Sequence, residues 1–219
     1  MEFSLESWLD RYIPAVQNAF GARIRLIGIQ GSCRRGEATD SSDIDAVLIL
    51  DTLSADDLAR YRALVGTLPD AERVCGFVSG ENELRCWSRA DLFQFYFDTR
   101  PLVGSLDAIV SRPTEEEARE AVKAGACALY HAACHSVVFE DRVQNLPFLL
   151  KSVLFIQQAR VFLQTGQYPG TTAETLAALS GEDRALLALS REKRAYTQEE
   201  ADACYRRLLA FASRLITEE

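Results

Sequence analysis

The stretch that decides the fold is residues 31–50, which read GSCRRGEATDSSDIDAVLIL. It begins with a glycine and a serine that we predict to form a turn, continues through a polar loop, and reaches two aspartates, Asp43 and Asp45, that are separated by one residue. The apolar run 46–50 that follows them is typical of a buried strand. Because side chains on a strand alternate between its two faces, we expect Asp43 and Asp45 to point in the same direction.

Two carboxylates side by side repel each other, and the repulsion destabilises the fold unless a cation neutralises it. Carboxylate oxygens are the hard donors that magnesium prefers. We therefore predict that Asp43 and Asp45 bind Mg2+, with a solvated junction between loop and strand as the alternative. A glycine at position 31 allows backbone amides to approach a phosphate closely, and Ser32 supplies a hydroxyl group for a phosphate oxygen.

The composition narrows the class of protein. Of the 219 residues, 48% are hydrophobic and 26% are charged, which is ordinary for a globular domain. The formal net charge of -8 argues against a large nucleic-acid-binding surface, because such a surface is basic. We expect no apolar run long enough to span a bilayer, and the acidic N-terminus does not resemble a signal peptide, so we expect a cytoplasmic protein.

Hydrophobic periodicity divides the chain into a mixed N-terminal part and a helical C-terminal part. The N-terminal part is predicted to contain helices over 5–20 and 54–66 and strands over 23–29, 45–50 and 73–78. Segment 92–97 fits either a strand or a helix, and 102–105 either an edge strand or a turn. The C-terminal part is predicted to contain helices over about 114–139, 146–165, 172–179, 181–190 and 198–216. Thr114 and Glu117 have the spacing of a capping box at the start of the first of them. We therefore predict an α+β fold, with a mixed sheet and flanking helices over residues 1–111 and an all-α helical bundle over residues 112–219.

The motif resembles the signature of the polymerase-β-like nucleotidyltransferase superfamily. The residues that carry the resemblance are Gly31-Ser32, Arg35-Gly36-Glu37-Ala38 and Ser42-Asp43-Ile44-Asp45. The similarity is greatest to small bacterial antibiotic nucleotidyltransferases of the aminoglycoside type, in which a helical domain follows the α/β domain. It implies transfer of a nucleoside monophosphate from an NTP, with ATP expected, to a hydroxyl group, while bound Mg2+ neutralises charge and pyrophosphate leaves.

The resemblance also implies which residues contact the nucleotide: Gly31, Ser32, Arg35, Ser42 and Lys151. Lys151 lies in the predicted helix 146–165, which is similar to the helix that closes over the nucleotide in such enzymes. Its ammonium group would act as a point charge toward the triphosphate. An exposed lysine on the helix surface is the alternative.

Members of the superfamily usually have a third carboxylate, which binds metal or acts as a general base. The strand predicted over 73–78, where this acid is expected, contains no carboxylate. We name Asp98 as the third catalytic residue beside Asp43 and Asp45, with a turn-initiating aspartate as the alternative. The other candidates are Glu72 before that strand, Glu81 and Glu83 in a predicted hairpin turn after it, and Glu140 and Asp141 in the helical half.

Three functions are consistent with these patterns. The first is a small-molecule nucleotidyltransferase that confers antibiotic resistance, with an aminoglycoside-like acceptor, because an acidic protein suits a polycationic ligand. The second is a regulator that modifies a partner protein with AMP, as minimal nucleotidyltransferases do. The third is a nucleotide-binding module that has lost catalysis. The oligomeric state stays open, and we expect neither a membrane nor a nucleic acid as partner.

Overall fold

The computed structural model describes residues 4–40, 42–192 and 194–217. Ser41 of the opening motif and the first three residues of the acidic N-terminus lie outside this range. The described residues form an α+β protein with a four-stranded mixed sheet in the N-terminal part and long helices in the C-terminal part, as predicted. The chain divides into two compact units: Met1–Ser88 with Phe95–Arg112, and Arg89–Gln94 with Pro113–Glu219. The domain boundary between residues 111 and 112 stays a prediction.

The N-terminal part alternates helices and strands. Its elements are α1 (Leu5–Phe20), β1 (Ile24–Ile29), α2 (Gly31–Arg35), β2 (Ile44–Leu50), α3 (Ala55–Val65), β3 (Val74–Gly80), α4 (Glu81–Arg85), α5 (Arg89–Asp98) and β4 (Arg100–Gly104). Helix α1 begins where the Ser4 hydroxyl accepts a hydrogen bond from the Ser7 amide. Trp8, Tyr12 and Val16 recur at helical spacing on its buried face, so α1 covers one side of the sheet core.

The sheet has the strand order β3-β2-β1-β4. Strand β1 is antiparallel to both β2 and β4, whereas β3 is parallel to β2. In the register, Ile29 at the end of β1 is opposite Ala46 of β2 and Arg100 of β4. Because β2 and β4 are antiparallel to β1, both begin at the end of the sheet where β1 finishes. The polar residues that follow β1 and those that precede β2 and β4 therefore lie at the same end of the sheet.

Two local predictions are wrong. Gly31 and Ser32 lie in the short helix α2 and not in a simple turn; the helix ends at Gly36, which has a left-handed conformation. Glu81 and Glu83 lie in helix α4 and not in a hairpin turn. The hairpin is absent because β4, the next strand along the chain, pairs with β1 and not with β3, so the chain leaves β3 through helices.

Packing decides the structure of the two segments, 92–97 and 102–105, for which the sequence left two alternatives. Residues 92–97 belong to helix α5, whose Phe95 ring packs against Phe77 with ring centroids 4.8 Å apart. Helix α5 ends at Asp98, and Thr99 is extended, which leads directly into β4. Strand β4 lies at the edge of the sheet, where Pro101 is tolerated because one side of the strand has no neighbour.

The C-terminal part consists of the five predicted helices. They are α6 (Glu115–Phe139), α7 (Arg142–Thr165), α8 (Thr172–Ala178), α9 (Gly181–Leu189) and α10 (Gln198–Thr217). The capping box expected at the start of α6 is present, since Thr114 and Glu117 each bond to the backbone amide of the other.

Helix α7 corrects one expectation about membranes. It is long and apolar enough to cross a bilayer by length and composition, with a mean hydropathy of 1.3 over its most apolar window. Of that window, 61% is buried inside the protein. Burial of this extent is typical of a helix at the centre of a helical bundle, where all faces contact other helices.

An ion pair and a capping box hold the start of α3. The Ser54 hydroxyl accepts a hydrogen bond from the Asp57 amide at 3.2 Å, and the Asp57 carboxylate accepts one from the Ser54 amide at 3.0 Å. The Arg23 guanidinium donates to both oxygens of Asp57, at 2.6 and 3.0 Å. These hydrogen bonds hold the pKa of the Asp57 carboxyl well below its usual range, and the bond from Arg23 has the largest effect.

We expect Asp57→Asn to weaken the acid dependence of stability. A carboxylate with a lowered folded-state pKa stabilises the fold above its unfolded pKa of about 4, and this contribution is lost as the pH falls. The variant should therefore melt at a lower temperature than the wild type near neutral pH, and the difference should shrink below about pH 4. Thermal melts across this range measure it. Asp56→Asn, at the exposed neighbouring position, is the control and should follow the wild type.

Candidate active site

The candidate site lies in the first unit, at the sheet edge where β1 ends and β2 and β4 begin. The Gln30 amide donates a hydrogen bond to the Asp45 carbonyl at 2.9 Å. The next amide, that of Gly31, donates to Oδ2 of Asp98 at 3.0 Å. Two consecutive amides therefore bind the chain segments at the starts of β2 and β4.

Gly31 lies between the carboxylates of Asp45 and Asp98. Its φ is +64°, a left-handed conformation that glycine adopts easily. A Cβ at this position would lie 2.0 Å from Oδ2 of Asp45, which is less than any non-bonded contact allows. The absence of a side chain therefore lets the backbone lie directly against the Asp45 carboxylate while its amide holds Asp98.

Arg35, at the end of α2, forms an ion pair with Asp98. Its Nη1 donates to Oδ1 at 3.0 Å and to Oδ2 at 3.3 Å, and its Nε donates to Glu37 at 3.1 Å. The side chains of Arg35 and Asp98 are 9% and 5% exposed. Burial raises the pKa of the Asp98 carboxyl, and the charge of Arg35 and the Gly31 amide oppose the rise. The site thus holds a desolvated carboxylate whose charge is balanced mainly by Arg35, with a smaller contribution from Arg34.

We expect Arg35→Gln to destabilise the protein by about 3 kcal/mol near neutral pH, because it leaves a buried carboxylate without its cation. The variant raises the pKa of Asp98 further, and a carboxyl group is neutral below its pKa. The destabilisation should therefore shrink as the pH falls. Urea unfolding at neutral pH and near pH 5 measures the effect. An Arg35→Gln/Asp98→Asn double variant should recover part of the loss, and equal losses at the two pH values would contradict the assignment.

Asp43 and Asp45 differ in their surroundings. Asp45 is half-buried within β2, whereas Asp43 is exposed and precedes the first residue of the strand, Ile44. The buried thiol of Cys33 lies below them and donates to the Asp43 carbonyl at 3.5 Å. Burial, together with the negative charge of Asp45, raises the pKa of this thiol. Cys33 is therefore a neutral group that supports the site.

The loop before Asp43 is held by Arg73, which the sequence analysis did not identify. The Arg73 guanidinium donates to the carbonyl oxygen of Ser42 through Nε at 3.0 Å and Nη2 at 2.8 Å. The Ser42 hydroxyl accepts a hydrogen bond from the Thr39 amide at 2.9 Å, so it has a structural role within the loop. The nucleotide contact of Ser42 stays a prediction. Only the parallel register of β3 beside β2 reveals Arg73, since the arginine has no motif of its own.

Two of the remaining carboxylate candidates, Glu81 and Glu83, lie far from the site. Glu81 follows Gly80, which is opposite Leu50, so Glu81 and Glu83 lie at the other end of β2 from Asp45. A strand of this length separates its ends by roughly 20 Å. Glu81 forms ion pairs with Arg25 and Arg85, which lower its pKa. The topology therefore excludes Glu81 and Glu83. Glu72 precedes Val74, which is opposite Ile44, so it lies at the same end of the sheet as Asp43; the bond from the Gly31 amide favours Asp98 over it.

The other predicted residues are placed as follows. Ser32 lies half-buried in α2, and its carbonyl oxygen accepts a hydrogen bond from the Glu37 amide at 2.9 Å. Lys151 is exposed on α7 in the second unit. Asp141 in the same unit caps α7 by accepting from the amides of Val143 and Gln144. The nucleotide contacts of Ser32 and Lys151 stay predictions.

The donor set near Asp45 fits magnesium that is bound together with a nucleotide. Within residues 4–40, 42–192 and 194–217, no group of three or more His, Cys, Asp or Glu side chains is arranged to hold a metal ion. Magnesium does not need such a closed cage: it usually takes one or two carboxylates and completes its shell with water and substrate phosphates. Asp43 and Asp45 supply carboxylate oxygens of this kind.

This arrangement of sheet and helices is the fold of a nucleotidyltransferase domain followed by a helical region, as the resemblance predicted. A solved structure with the same fold is the crystal structure of spectinomycin adenyltransferase AAD(9) from Enterococcus faecialis with ATP and spectinomycin. The likeness has a TM-score of 0.62 and covers 97% of this chain and 99% of that chain, at 12% sequence identity. No family model and no curated protein sequence matches the chain. At this identity the likeness shows the fold, and the function is argued from the site.

Proposed function

We propose that this protein is a magnesium-dependent nucleotidyltransferase. It moves a nucleoside monophosphate from an NTP, with ATP as the expected donor, to a hydroxyl group of a small molecule, and pyrophosphate leaves. The observation that carries the proposal is the convergence of Gly31, Asp45 and Asp98 at one edge of the sheet. The fold shared with AAD(9), whose crystal structure contains ATP, supports it.

In this proposal Asp43 and Asp45 hold the metal, which neutralises the charge of the phosphates when it is bound. Asp43 is exposed and Asp45 is half-buried, so both residues are accessible to a cation from solvent. Gly31 lets the backbone lie directly against the Asp45 carboxylate, and the Ser32 hydroxyl donates to a phosphate oxygen. Arg35 acts through Asp98, which it keeps ionised despite burial.

Asp98 is the proposed general base. A carboxylate has about four acceptor positions, and the bonds from Gly31 and Arg35 occupy three of them. The remaining position accepts the proton of the acceptor hydroxyl. The hydroxyl oxygen then forms a bond to the α-phosphorus, and the bond from that phosphorus to pyrophosphate breaks. The raised pKa of Asp98 makes it a better proton acceptor than an exposed aspartate.

We propose an aminoglycoside-like antibiotic as the acceptor and resistance to it as the outcome. The net charge of -8 supports a cationic acceptor, since complementary charge speeds encounter. The spectinomycin in the crystal structure of AAD(9) supports the same class of acceptor. The proposal places the enzyme in the cytoplasm, where NTPs are available.

The test is release of pyrophosphate from each NTP, with and without Mg2+, in the presence of aminoglycosides, spectinomycin, lincosamides or candidate proteins. We expect release only with Mg2+ and an acceptor, and mass spectrometry should show the acceptor heavier by one nucleoside monophosphate. Nucleotide binding without transfer to any acceptor would contradict the proposal and favour a nucleotide-binding module. Transfer to proteins alone would favour an AMP-modifying regulator.

A further inference from the structure

The second unit contains a cavity of about 450 Å3 between the first residues of α5 and the helices α6 and α7. We call it the helical pocket. Its lining includes Ala124 and Ala128 of α6, Phe148 and Phe155 of α7, and Tyr168. A volume of this size falls within the range of pockets that bind small molecules, and so does a lining that is mainly apolar and aromatic.

The space comes from short side chains and not from a separation of the helices. At Gly125 the two helices approach so closely that a Cβ would lie 2.9 Å from Cγ1 of Ile156. Apart from Leu129, the lining residues on either side of Gly125 in α6 are alanines, which leave the space between the aromatic residues unfilled: Ala121, Ala124, Ala128 and Ala132. A cavity between closely packed helices is preformed, so a ligand does not have to separate them.

The inner wall of the helical pocket is rigid. The ring of Phe93 is 1% exposed and packs against Phe162 and Tyr168 with ring centroids 5.2 and 5.9 Å away. The Tyr168 hydroxyl donates to Oε1 of Gln158 at 3.0 Å, and Nε2 of Gln158 donates to the Pro169 carbonyl at 2.9 Å. A fixed aromatic wall binds a flat apolar group at little cost in conformational entropy.

The rim carries two features that indicate the kind of ligand. Phe148 is a large aromatic side chain that is 76% exposed beside the cavity. Among the described residues that line the pocket, Asp91 alone carries a charge, and it is exposed. A carboxylate and aromatic faces both attract a cation, and neither attracts an anion.

We infer that the helical pocket binds a small organic cation with a flat apolar body and one protonated amine. The apolar body lies between the alanines of α6 and the aromatic wall, and the amine faces Asp91 at the rim. A polycationic amino sugar does not suit this pocket, because burying its further charges and hydroxyl groups against alanine and phenylalanine is unfavourable. The inference concerns binding in the second unit and does not depend on nucleotide transfer.

The test uses naphthylethylamine as the cationic probe, naphthylethanol as its neutral counterpart and kanamycin as the polycation, each titrated into the full chain by calorimetry without nucleotide. We expect the amine to bind about tenfold more tightly than the alcohol. Asp91→Asn should reduce this preference several-fold, leaving the part due to the aromatic faces, and should leave the affinity for the alcohol unchanged. Ala128→Phe should fill the pocket and abolish binding of both naphthalenes.

Two controls separate binding from folding. Ala203→Phe places the same side chain on the exposed face of α10 and should bind both probes as the wild type does. Asp91→Asn changes an exposed position and should keep the wild-type melting temperature, so its result stands even if Ala128→Phe does not fold. The inference is overturned if neither naphthalene binds at millimolar concentration, if Asp91→Asn keeps the full preference for the amine, or if kanamycin binds more tightly than the amine.

Discussion

Asp45→Asn is expected to reduce the rate of nucleotide transfer by roughly a thousandfold, the size of effect seen when a group that stabilises transition-state charge is removed. Asparagine has almost the same shape as aspartate, so it fits against Gly31 without a change in the fold. It lacks the negative charge that holds a divalent cation beside the phosphates. Asp43→Asn should lower the rate for the same reason, and by less, because Asp43 is exposed and precedes the strand.

The control for this prediction is Asp40→Asn, which removes the same charge from an exposed position in the same loop. Its rate of pyrophosphate release should stay within a few-fold of wild type. Without Mg2+, the melting temperature of Asp45→Asn should be no lower than that of the wild type, because the substitution relieves the repulsion between the carboxylates at positions 43 and 45. Undiminished transfer in Asp45→Asn would contradict the metal assignment, and a large loss of stability would show that Asp45 has a structural role instead.

Gly31→Ala is expected to have the second large effect, on both stability and activity. An alanine Cβ would lie 2.0 Å from Oδ2 of Asp45, so either the carboxylate or the backbone must move. The left-handed φ adds about 1 kcal/mol of strain, and overpacking of this kind adds about 2 kcal/mol. Moving the backbone also breaks the hydrogen bond from the Gly31 amide to Asp98. Transfer should therefore fall nearly as far as in Asp45→Asn.

Gly36→Ala is a matched control for this substitution. Gly36 has a φ of +69°, close to that of Gly31, but a Cβ there would meet no heavy atom within 4 Å. The two variants share the backbone strain and differ in the contact with Asp45. We expect Gly36→Ala to lose about 1 kcal/mol of stability and to retain most of its activity. Urea unfolding and pyrophosphate release measure both variants, and similar activities in the two would show that the space beside Asp45 does not matter.

Local patterns were sufficient to predict most of the elements. The capping box of Thr114 and Glu117 predicts the start of α6, and α1 is predicted by the helical spacing of the apolar residues Leu5, Trp8, Leu9, Ile13, Val16 and Phe20. Both signals depend on residues within a few positions of each other, so no knowledge of the remaining chain is needed. The aromatic segment 92–97 was ambiguous because its outcome depends on what it packs against: Phe95 contacts Phe77 of a distant strand.

The sequence by itself determined the motif that joins Gly31 to Asp45, the two-part α+β architecture and the acidic character of the chain. Only the tertiary structure decided which further acid lies beside that motif. The selection of Asp98 over Glu81 depends on β2 and β4 both running antiparallel to β1, while β3 runs parallel to β2. Strand order and direction arise from contacts between residues far apart in the chain, so they cannot be predicted from the spacing of neighbouring residues.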